Sequence, residues 1–321
     1  MKPPALRLGD TVGIVAPASN LSRDDLHAGC EALRRAGYRP FYFDSILERD
    51  LYFAGSVQRR TQELEAMFAR EEVRAIVCAR GGYGSNYLLE GLALETIKVH
   101  PKIFVGYSDL TTLLTYFSDG LGLVTFHGPM VAKDWAHEGG VDMASWQSAL
   151  TGTEAWELSL DAGSGVSGLV EGEAEGVLYG GCLSILVASL RTPYEIDTAD
   201  TILFLEDVAA KPYQIDRMLM QLKLAGKLSE VRGIVFGEML ACMQTTKAAN
   251  QGYTLEEVVL RVVGGLGVPV AYGVRSGHVT TGNITLPIGV RARLTVRDRE
   301  VTLNILEASV IAGAATTAAR K

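Results

Sequence analysis

Along the first half of the chain, continuous apolar runs alternate with segments in which apolar residues have helical spacing. Continuous apolar runs at residues 11–17 (TVGIVAP), 73–79 (VRAIVCA) and 102–107 (KIFVGY) predict buried strands. Residues 23–37 and 57–70 have the spacing of amphipathic helices. Buried strands that alternate with helices indicate βαβ units, and therefore a parallel sheet covered on both faces. We predict an α/β, flavodoxin-like domain here.

Two shorter segments complete this first half. Residues 39–44 (RPFYFD) have the composition of a strand, and residues 84–92 (GSNYLLEGL) predict the beginning of a helix.

The second half starts with the same alternation and then changes. Residues 201–207 (TILFLED) and 232–239 (RGIVFGEM) predict strands, with an amphipathic helix at 212–226 between them. Short alternating strands follow, at 268–274, 284–296 and 300–306. We therefore predict a mixed α/β domain with a β-rich portion.

The length of 321 residues exceeds what one hydrophobic core usually serves, so two domains are expected. We place the N-terminal domain at 1–140, a polar and glycine-containing linker at 141–167, and the C-terminal domain at 168–310. The small-residue tail at 311–321 is expected to be frayed.

Composition narrows the class of protein. Hydrophobic residues make up 48% of the chain and charged residues 21%, which is typical of a globular protein. The net charge of −7 and the absence of basic runs argue against nucleic acid as a partner. No apolar stretch approaches the roughly 20 residues of a membrane span, and we identify no signal peptide, so a soluble cytoplasmic protein is expected.

The cysteines do not suggest a metal site or a disulfide framework. Cys30, Cys78, Cys182 and Cys242 are scattered and show no CxxC spacing. Because the glycine-rich segment of the chain also lacks the nucleotide-binding patterns, we expect neither a metal nor a cofactor.

Three polar segments come directly after predicted strands of the first half. They are residues 15–20 (VAPASN), 80–86 (RGGYGSN) and 107–111 (YSDLT). Since ligands of parallel α/β sheets bind beyond the carboxyl ends of the strands, these segments should converge on one rim.

Ser108 stands where a strand passes into a helix. One interpretation is a helix N-cap, a position that favours Ser, Thr and Asp. The other is a nucleophile on a sharp strand-to-helix turn, although the G-x-S-x-G pattern of α/β hydrolases is incomplete because Leu110 replaces its second glycine.

The glycines of residues 80–86 also allow two interpretations. They could form a tight turn with positive φ, or the N–H groups of Gly81 or Gly82 could bind an oxyanion while Arg80 binds a carboxylate.

A serine nucleophile needs a base and an acid that orients it. His127 follows an apolar run at the same rim, and His278 lies in a glycine-bounded loop, and the alternative for each is an ordinary surface histidine. Glu206 and Asp207 end a predicted strand and point to opposite faces, so one carboxylate should face the rim. A helix-entry or salt-bridge role is the alternative for either carboxylate.

Eight segments, taken in order, resemble the LD-carboxypeptidase family of serine peptidases, which includes muramoyl-tetrapeptide carboxypeptidases and microcin C immunity peptidases. They are VGIVAPAS, ARGGYGSNYLL, FVGYSDLTTLL, TFHGPM, LYGGCLSIL, ILFLEDVAAKPYQIDRML, GIVFGEM and GHVTTGNITLPIG, between about residues 10 and 290.

The resemblance implies a catalytic triad of Ser108, Glu206 and His278. It also implies an oxyanion hole formed by the backbone N–H groups of Gly82, or its neighbour Gly81, and of Asp109. Arg80 and His127 are candidates for substrate binding. Many relatives have Asn where this chain has Cys182, which puts in question any substrate contact made there.

The resemblance further implies a homodimer that releases terminal D-alanine from murein-derived tetrapeptides during cell-wall recycling. The substrate would be a small peptide with a free C-terminal carboxylate. The alternative is a microcin C immunity-type peptidase, which cleaves the amide of a peptidyl- or aminoacyl-nucleotide. That activity would use an aromatic platform such as Trp135, Trp146 and Trp156, unless these residues anchor the linker on the core. A non-catalytic peptide or sugar binder is the alternative from another class.

Overall fold

The computed structural model describes residues 1–158, 160, 165–243 and 253–312. Within this part of the chain the strands form two sheets. The strands are β1 (Thr11–Val15), β2 (Arg39–Phe41), β3 (Val73–Cys78), β4 (Ile103–Gly106), β5 (Thr125–His127), β6 (Trp156–Leu158), β7 (Ser167–Val170), β8 (Gly172–Cys182), β9 (Thr201–Glu206), β10 (Gly233–Gly237), β11 (Val270–Val274), β12 (Leu286–Ile288), β13 (Val290–Arg297) and β14 (Glu300–Ile305).

The helices follow the predicted alternation in the first half. They are α1 (Arg23–Arg35), α2 (Val57–Ala69), α3 (Leu94–Val99), α4 (Thr111–Leu121), α5 (Met143–Thr151), α6 (Leu183–Ala188), α7 (Pro212–Leu224) and α8 (Leu255–Val263). Among the described residues, none of these helices combines the length and apolar character that crossing a membrane requires.

The first sheet has the order β12-β5-β4-β3-β1-β2. Strands β1 to β5 run parallel, in the 2-1-3-4-5 order of flavodoxin-like sheets. The central residues of β3 and β4 are fully buried because helices cover both faces, which explains the continuous apolar runs in the sequence. The prediction of a parallel flavodoxin-like sheet is confirmed.

The second sheet has the order β6-β14-β13-β8-β9-β10-β11-β7. Its centre, β8 to β11, is parallel, and antiparallel strands flank it on both sides. The predicted mixed α/β portion with a β-rich end is therefore also confirmed. Glu206 ends a central strand of this sheet, β9, so its side chain lies in the interior.

One strand predicted within the C-terminal domain belongs to the other sheet. β12 pairs antiparallel with β5, and Pro287 lies opposite Phe126. Proline lacks a backbone N–H and is suited to an edge strand, which is the position that β12 takes. This crossing brings the chain that follows His278 back against the first sheet.

The predicted helix at residues 84–92 is wrong. Only a 3₁₀ turn forms at Ser85–Leu88, and the helix begins at Leu94. The backbone N–H of Ser85 donates to a carboxylate oxygen of Asp109 (2.8 Å), and its hydroxyl donates to the Asp109 carbonyl (2.7 Å). These bonds hold the segment against the Ser108 turn.

The predicted linker, 141–167, contains α5, β6 and the first residue of β7, while residues 159 and 161–164 lie outside the described residues. The tail prediction falls, from residue 313 onward, outside them as well. The division into domains stays a prediction.

Candidate active site

Ser108 is the first residue after an extended Tyr107 at the end of β4, and its φ of +63° lies in the left-handed region. Such a conformation is uncommon for a residue other than glycine and marks a sharp turn. The turn continues as a 3₁₀ turn, Ser108–Leu110, and α4 starts at Thr111. The N-cap interpretation of Ser108 is wrong, because Leu110 is the N-cap of α4 and Tyr107 is the N-cap of the 3₁₀ turn.

Gly81 lies directly against the serine. A Cβ placed on Gly81 would be 2.8 Å from the Ser108 Cβ, 3.1 Å from its Oγ and 3.4 Å from the Asp109 amide nitrogen. Only glycine therefore fits between the loop after β3 and the Ser108 turn. Gly82 is exposed and has a φ of +102°, so the tight-turn interpretation holds for this position.

Asp109 is buried, and its side chain holds the Gly81–Ser85 loop through the hydrogen bond from the Ser85 N–H. Burial raises the pKa of Asp109, although the hydrogen bonds from Ser85 and Gly84 act in the opposite direction. The side chain of Asp109 thus has a structural partner, and its backbone N–H is the group that adjoins Ser108.

Glu206 and His278 form a close pair. The His278 Nδ1–H donates to Glu206 Oε2 at 2.7 Å, and the His278 backbone N–H donates to the same oxygen at 3.1 Å. Glu206 is fully buried, whereas the His278 side chain is 15% exposed. These two hydrogen bonds to one oxygen fix the plane of the imidazole. They leave its Nε2 free of hydrogen bonds to the described residues.

The electrostatics of the pair follow from these contacts. Burial alone would raise the pKa of Glu206, but the hydrogen bonds from His278 and the nearby imidazoles of His278 and His127 outweigh it and lower this pKa to about 2. Burial alone would lower the pKa of His278, but the hydrogen bond and negative charge of Glu206 outweigh it and raise this pKa above its ordinary value. Glu206 is therefore ionised at neutral pH.

Tyr107 links the serine turn to this pair. Its ring packs edge to face on the His278 ring, with the centroids 5.1 Å apart, and its hydroxyl donates to Asp134 Oδ1 at 3.4 Å. Because Ser108 is the next residue, the turn after β4 and the loop that carries His278 meet at one place.

The structure separates the two carboxylates that end β9. Glu206 contacts the histidines, whereas Asp207 accepts the Ser184 N–H at 2.8 Å at the beginning of α6. The helix-entry alternative therefore applies to Asp207. Cys182 lies beside it, buried, with its Sγ 3.9 Å from Asp207 Oδ2.

His127 does not lie where a substrate contact is expected. It is fully buried, its Nδ1 is 2.9 Å from Ser276 Oγ, and its Nε2 is 3.8 Å from Glu206 Oε1. Because no part of its side chain reaches the surface, the assignment of His127 to substrate binding is corrected. Its imidazole lies in the interior and faces the carboxylate of Glu206.

Arg80 lies on the exposed rim. Its guanidinium donates to the Asn20 carbonyl at 3.2 Å, in the loop after β1, and within the described residues it forms no hydrogen bond or ion pair with Ser108, Glu206 or His278.

Sequence reasoning missed Arg60, which is buried on α2. Its guanidinium donates to the carbonyls of Pro17 (2.6 Å), Gly84 (2.7 Å) and Gly55 (3.3 Å). It thereby ties the loop after β1 to the loop after β3. An arginine within an amphipathic helix gives no signal of this role in the sequence.

A cavity of about 540 Å³ opens beside the Ser108 turn. Its lining includes Tyr83, Asp109, Thr112, Ile185 and Tyr194, so it lies between the loop after β3, α4 and the segment that begins with α6. Ser108, Glu206 and His278 do not line it.

Two of the three tryptophans belong to the core, while Trp156 on β6 is half-buried. Trp146 is fully buried and packs edge to face on Trp135, with the centroids 5.0 Å apart. For these two residues the anchoring interpretation is confirmed, and the aromatic-platform interpretation is wrong.

Comparison with known proteins places this site in context. The LD-carboxypeptidase N-terminal domain profile matches residues 12–128, and the LD-carboxypeptidase C-terminal domain profile matches residues 175–294. The probable murein peptide carboxypeptidase of Bacillus subtilis is 37% identical over 318 residues, covering 98% of this chain and 97% of the relative.

Two further proteins show the same likeness. The murein tetrapeptide carboxypeptidase of Pseudomonas aeruginosa is 30% identical over 278 residues, covering 83% of this chain and 87% of the relative. The crystal structure of an MccF-like protein from Bacillus anthracis superposes with a TM-score of 0.85 at 28% identity, covering 96% of this chain and 99% of that structure.

The fold and these relatives define a serine-type hydrolase. Both halves of the chain match the two domains of one family in the right order, and the likeness extends over nearly the whole length. The chain belongs to the LD-carboxypeptidase family.

Proposed function

We propose that the chain is a carboxypeptidase that hydrolyses the amide bond before the C-terminal D-alanine of murein-derived tetrapeptides, in cell-wall recycling. The observation that carries the proposal is the His278–Glu206 pair held against the residue that precedes Ser108. The names of the Bacillus subtilis and Pseudomonas aeruginosa relatives, a murein peptide and a murein tetrapeptide carboxypeptidase, support this choice of substrate.

Ser108 would act as the nucleophile and His278 as the base. With Nδ1–H committed to Glu206, the Nε2 lone pair of His278 accepts the Ser108 proton as Oγ attacks the peptide carbonyl. Glu206 keeps the imidazole in this tautomer and stabilises the imidazolium that forms. The raised pKa of His278 makes it a stronger base for this step.

The negative charge that develops on the carbonyl oxygen needs hydrogen-bond donors. The N–H of Asp109 and an N–H of Gly81 or Gly82 would supply them, since a Cβ on Gly81 would lie within contact distance of both Ser108 and the Asp109 nitrogen. The imidazolium then protonates the departing amine of D-alanine. Water, deprotonated by His278, releases the tripeptide acyl group from Ser108 and restores the enzyme.

A carboxypeptidase must recognise a free C-terminal carboxylate. Arg80 would do so, because its side chain is exposed on the rim next to Gly81 and a guanidinium binds a carboxylate through two parallel hydrogen bonds.

The likeness to the MccF-like structure keeps a second activity in view, cleavage of the amide of a peptidyl- or aminoacyl-nucleotide. The burial of Trp135 and Trp146 removes the tryptophan platform considered for a nucleobase. Purified protein should be incubated in parallel with an L,D-tetrapeptide and with an aminoacyl sulfamoyl adenylate. Release of D-alanine from the first, with the second intact, supports the proposal, and the reverse result selects the other activity.

We further propose that the enzyme works in the cytoplasm as a homodimer. Sedimentation equilibrium across a range of protein concentrations tests the dimer, and cell fractionation tests the location. A purely monomeric mass or a membrane-bound fraction would contradict these two proposals without affecting the chemistry.

A further inference from the structure

His127 and Glu206 present two unsatisfied polar atoms to each other. His127 ends β5 in the first sheet, and Glu206 ends β9 in the second. Both residues are fully buried, and their facing atoms, His127 Nε2 and Glu206 Oε1, are 3.8 Å apart without another hydrogen-bond partner among the described residues. Buried polar atoms of this kind are costly unless charge or a hydrogen bond compensates them.

Ser276 determines where the ring proton of His127 lies. The Ser276 hydroxyl donates its single hydrogen to the Ile284 carbonyl at 2.9 Å. Its oxygen is therefore the acceptor for His127 Nδ1, also at 2.9 Å, and Nδ1 must carry a proton. In a neutral ring the Nε2 lone pair would then point at a carboxylate oxygen, which is repulsive. A proton on Nε2 turns this repulsion into attraction.

The surrounding groups favour the same arrangement. Tyr107, whose ring centroid is 5.9 Å from that of His127, is neutral because burial raises its pKa, and burial does the same for the Cys182 thiol next to Glu206. Phe204 packs edge to face on the other side, with the centroids 5.0 Å apart. Glu206 is thus the charged group that His127 meets directly.

Two other carboxylates act on the cluster from farther away. Asp134 hydrogen-bonds the Tyr107 hydroxyl, and Asp207 follows Glu206 on the chain. Burial raises the pKa of both Asp134 and Asp207, which lessens but does not reverse their attraction for positive charge. When His278 is neutral and ready to act as a base, the buried Glu206 carboxylate needs a counter-ion, because an unpaired buried charge is strongly unfavourable.

We propose that His127 is a positioning residue that carries protons on both ring nitrogens and binds the second oxygen of Glu206. Glu206 is then held by one imidazole on each oxygen, His127 on Oε1 and His278 on Oε2. The inference rests on the proposed roles of Glu206 and His278 in catalysis. It adds that a residue from the first sheet fixes the acid that the second sheet supplies.

The positive charge of His127 also opposes the charging of His278 through their shared carboxylate. Replacing it by a neutral residue, His127→Gln, should therefore make His278 easier to protonate. The acidic limb of the pH dependence of kcat/KM should move to higher pH by about 0.5 to 1 unit, less than a directly contacting charge would cause. His27→Gln, which changes an exposed histidine on α1, should leave the limb in place. An unmoved limb in His127→Gln contradicts the proposal.

A second experiment, NMR of the wild-type protein, depends neither on turnover nor on the stability of His127→Gln. Wild-type protein labelled with ¹⁵N-histidine should show a histidine that is protonated on both ring nitrogens at pH 7. Ser276→Ala, which removes the partner of Nδ1, should shift that signal and identify it as His127. An unprotonated Nε2 on the histidine that responds to Ser276→Ala overturns the proposal. If the tetrapeptide is not hydrolysed at all, the proposed substrate fails while this result still decides the protonation of His127.

Discussion

His278 Nδ1 lies 2.7 Å from Glu206 Oε2, although the two residues are 72 positions apart in the chain. The acid comes from the end of a buried central strand, and the histidine comes from a loop that follows β11. The same carboxylate oxygen accepts the His278 backbone N–H, so it holds the loop as well as the ring. This contact has consequences that can be measured.

The pH dependence of kcat/KM should have an acidic limb above that of an ordinary histidine. Since the Glu206 contact raises the pKa of His278, the base form that accepts the Ser108 proton predominates only above this raised value, and activity is lost as pH falls through it. Glu206→Gln removes the hydrogen bond and charge that raise the pKa and leaves the burial that lowers it. The acidic limb should then move to lower pH, and kcat/KM above the limb should fall. An acidic limb at the wild-type position would show that Glu206 does not raise the pKa of His278.

Gly81→Ala should impair chemistry more than folding. The added Cβ would lie 2.8 Å from the Ser108 Cβ, so the loop and the serine must move apart. Displacing an oxyanion donor costs about 10² to 10³ in kcat. Gly265→Ala, where a Cβ meets no atom within 4 Å, is the matched control. Equal activities in the two variants would show that Gly81 does not shape the site.

Arg80→Met should weaken binding of substrates with a free C-terminus. Loss of a charge-assisted bond to a carboxylate costs about 1.5 to 3 kcal/mol, so KM should rise by roughly 10- to 150-fold with little change in kcat. The wild type should show a similar loss on the tetrapeptide amide, and the variant should not discriminate acid from amide. Arg23→Met, an exposed change on α1, serves as control. Undiminished preference for the acid in Arg80→Met would assign carboxylate binding elsewhere.

Arg60→Met should lower stability. The variant leaves the carbonyls of Pro17, Gly55 and Gly84 without their guanidinium partner, and each buried unpaired group costs about 1 to 3 kcal/mol. We expect the free energy of unfolding in urea to fall by about 3 kcal/mol or more, whereas Arg23→Met should change it little. Activity should fall too, because the loop after β3 carries Gly81. A loss of unfolding free energy no greater than that of Arg23→Met would mean that the two loops keep their positions without the hydrogen bonds of Arg60.

The sequence predicts the parallel first sheet well because its strands are buried on both faces. Residues 73–79 and 102–107 appear as uninterrupted apolar runs for that reason, and the polar residues after them lie at the carboxyl ends of adjacent strands. The position of Ser108 on a turn followed from this pattern. The positive φ of Ser108 did not follow from it.

Local sequence patterns do not predict contacts between distant segments of the chain. β12 looks like any other short alternating strand, and only tertiary pairing with β5 places it in the first sheet. The apolar run before His127 predicts that this residue lies at the rim, but β9 of the second sheet covers it and brings Glu206 to within 3.8 Å of its Nε2. The predicted helix at 84–92 failed in a similar way, because Asp109 captures the N–H and hydroxyl of Ser85.

The proposed mechanism is tested most directly by release of D-alanine from a defined murein tetrapeptide by the wild type and by Ser108→Ala. The wild type should turn over, and Ser108→Ala should lose about 10⁴- to 10⁶-fold in kcat, as in other catalytic triads. Ser118→Ala, a change of the same kind on α4, should retain wild-type turnover. Release of D-alanine by Ser108→Ala at a rate close to wild type would contradict the assignment of Ser108 as the nucleophile.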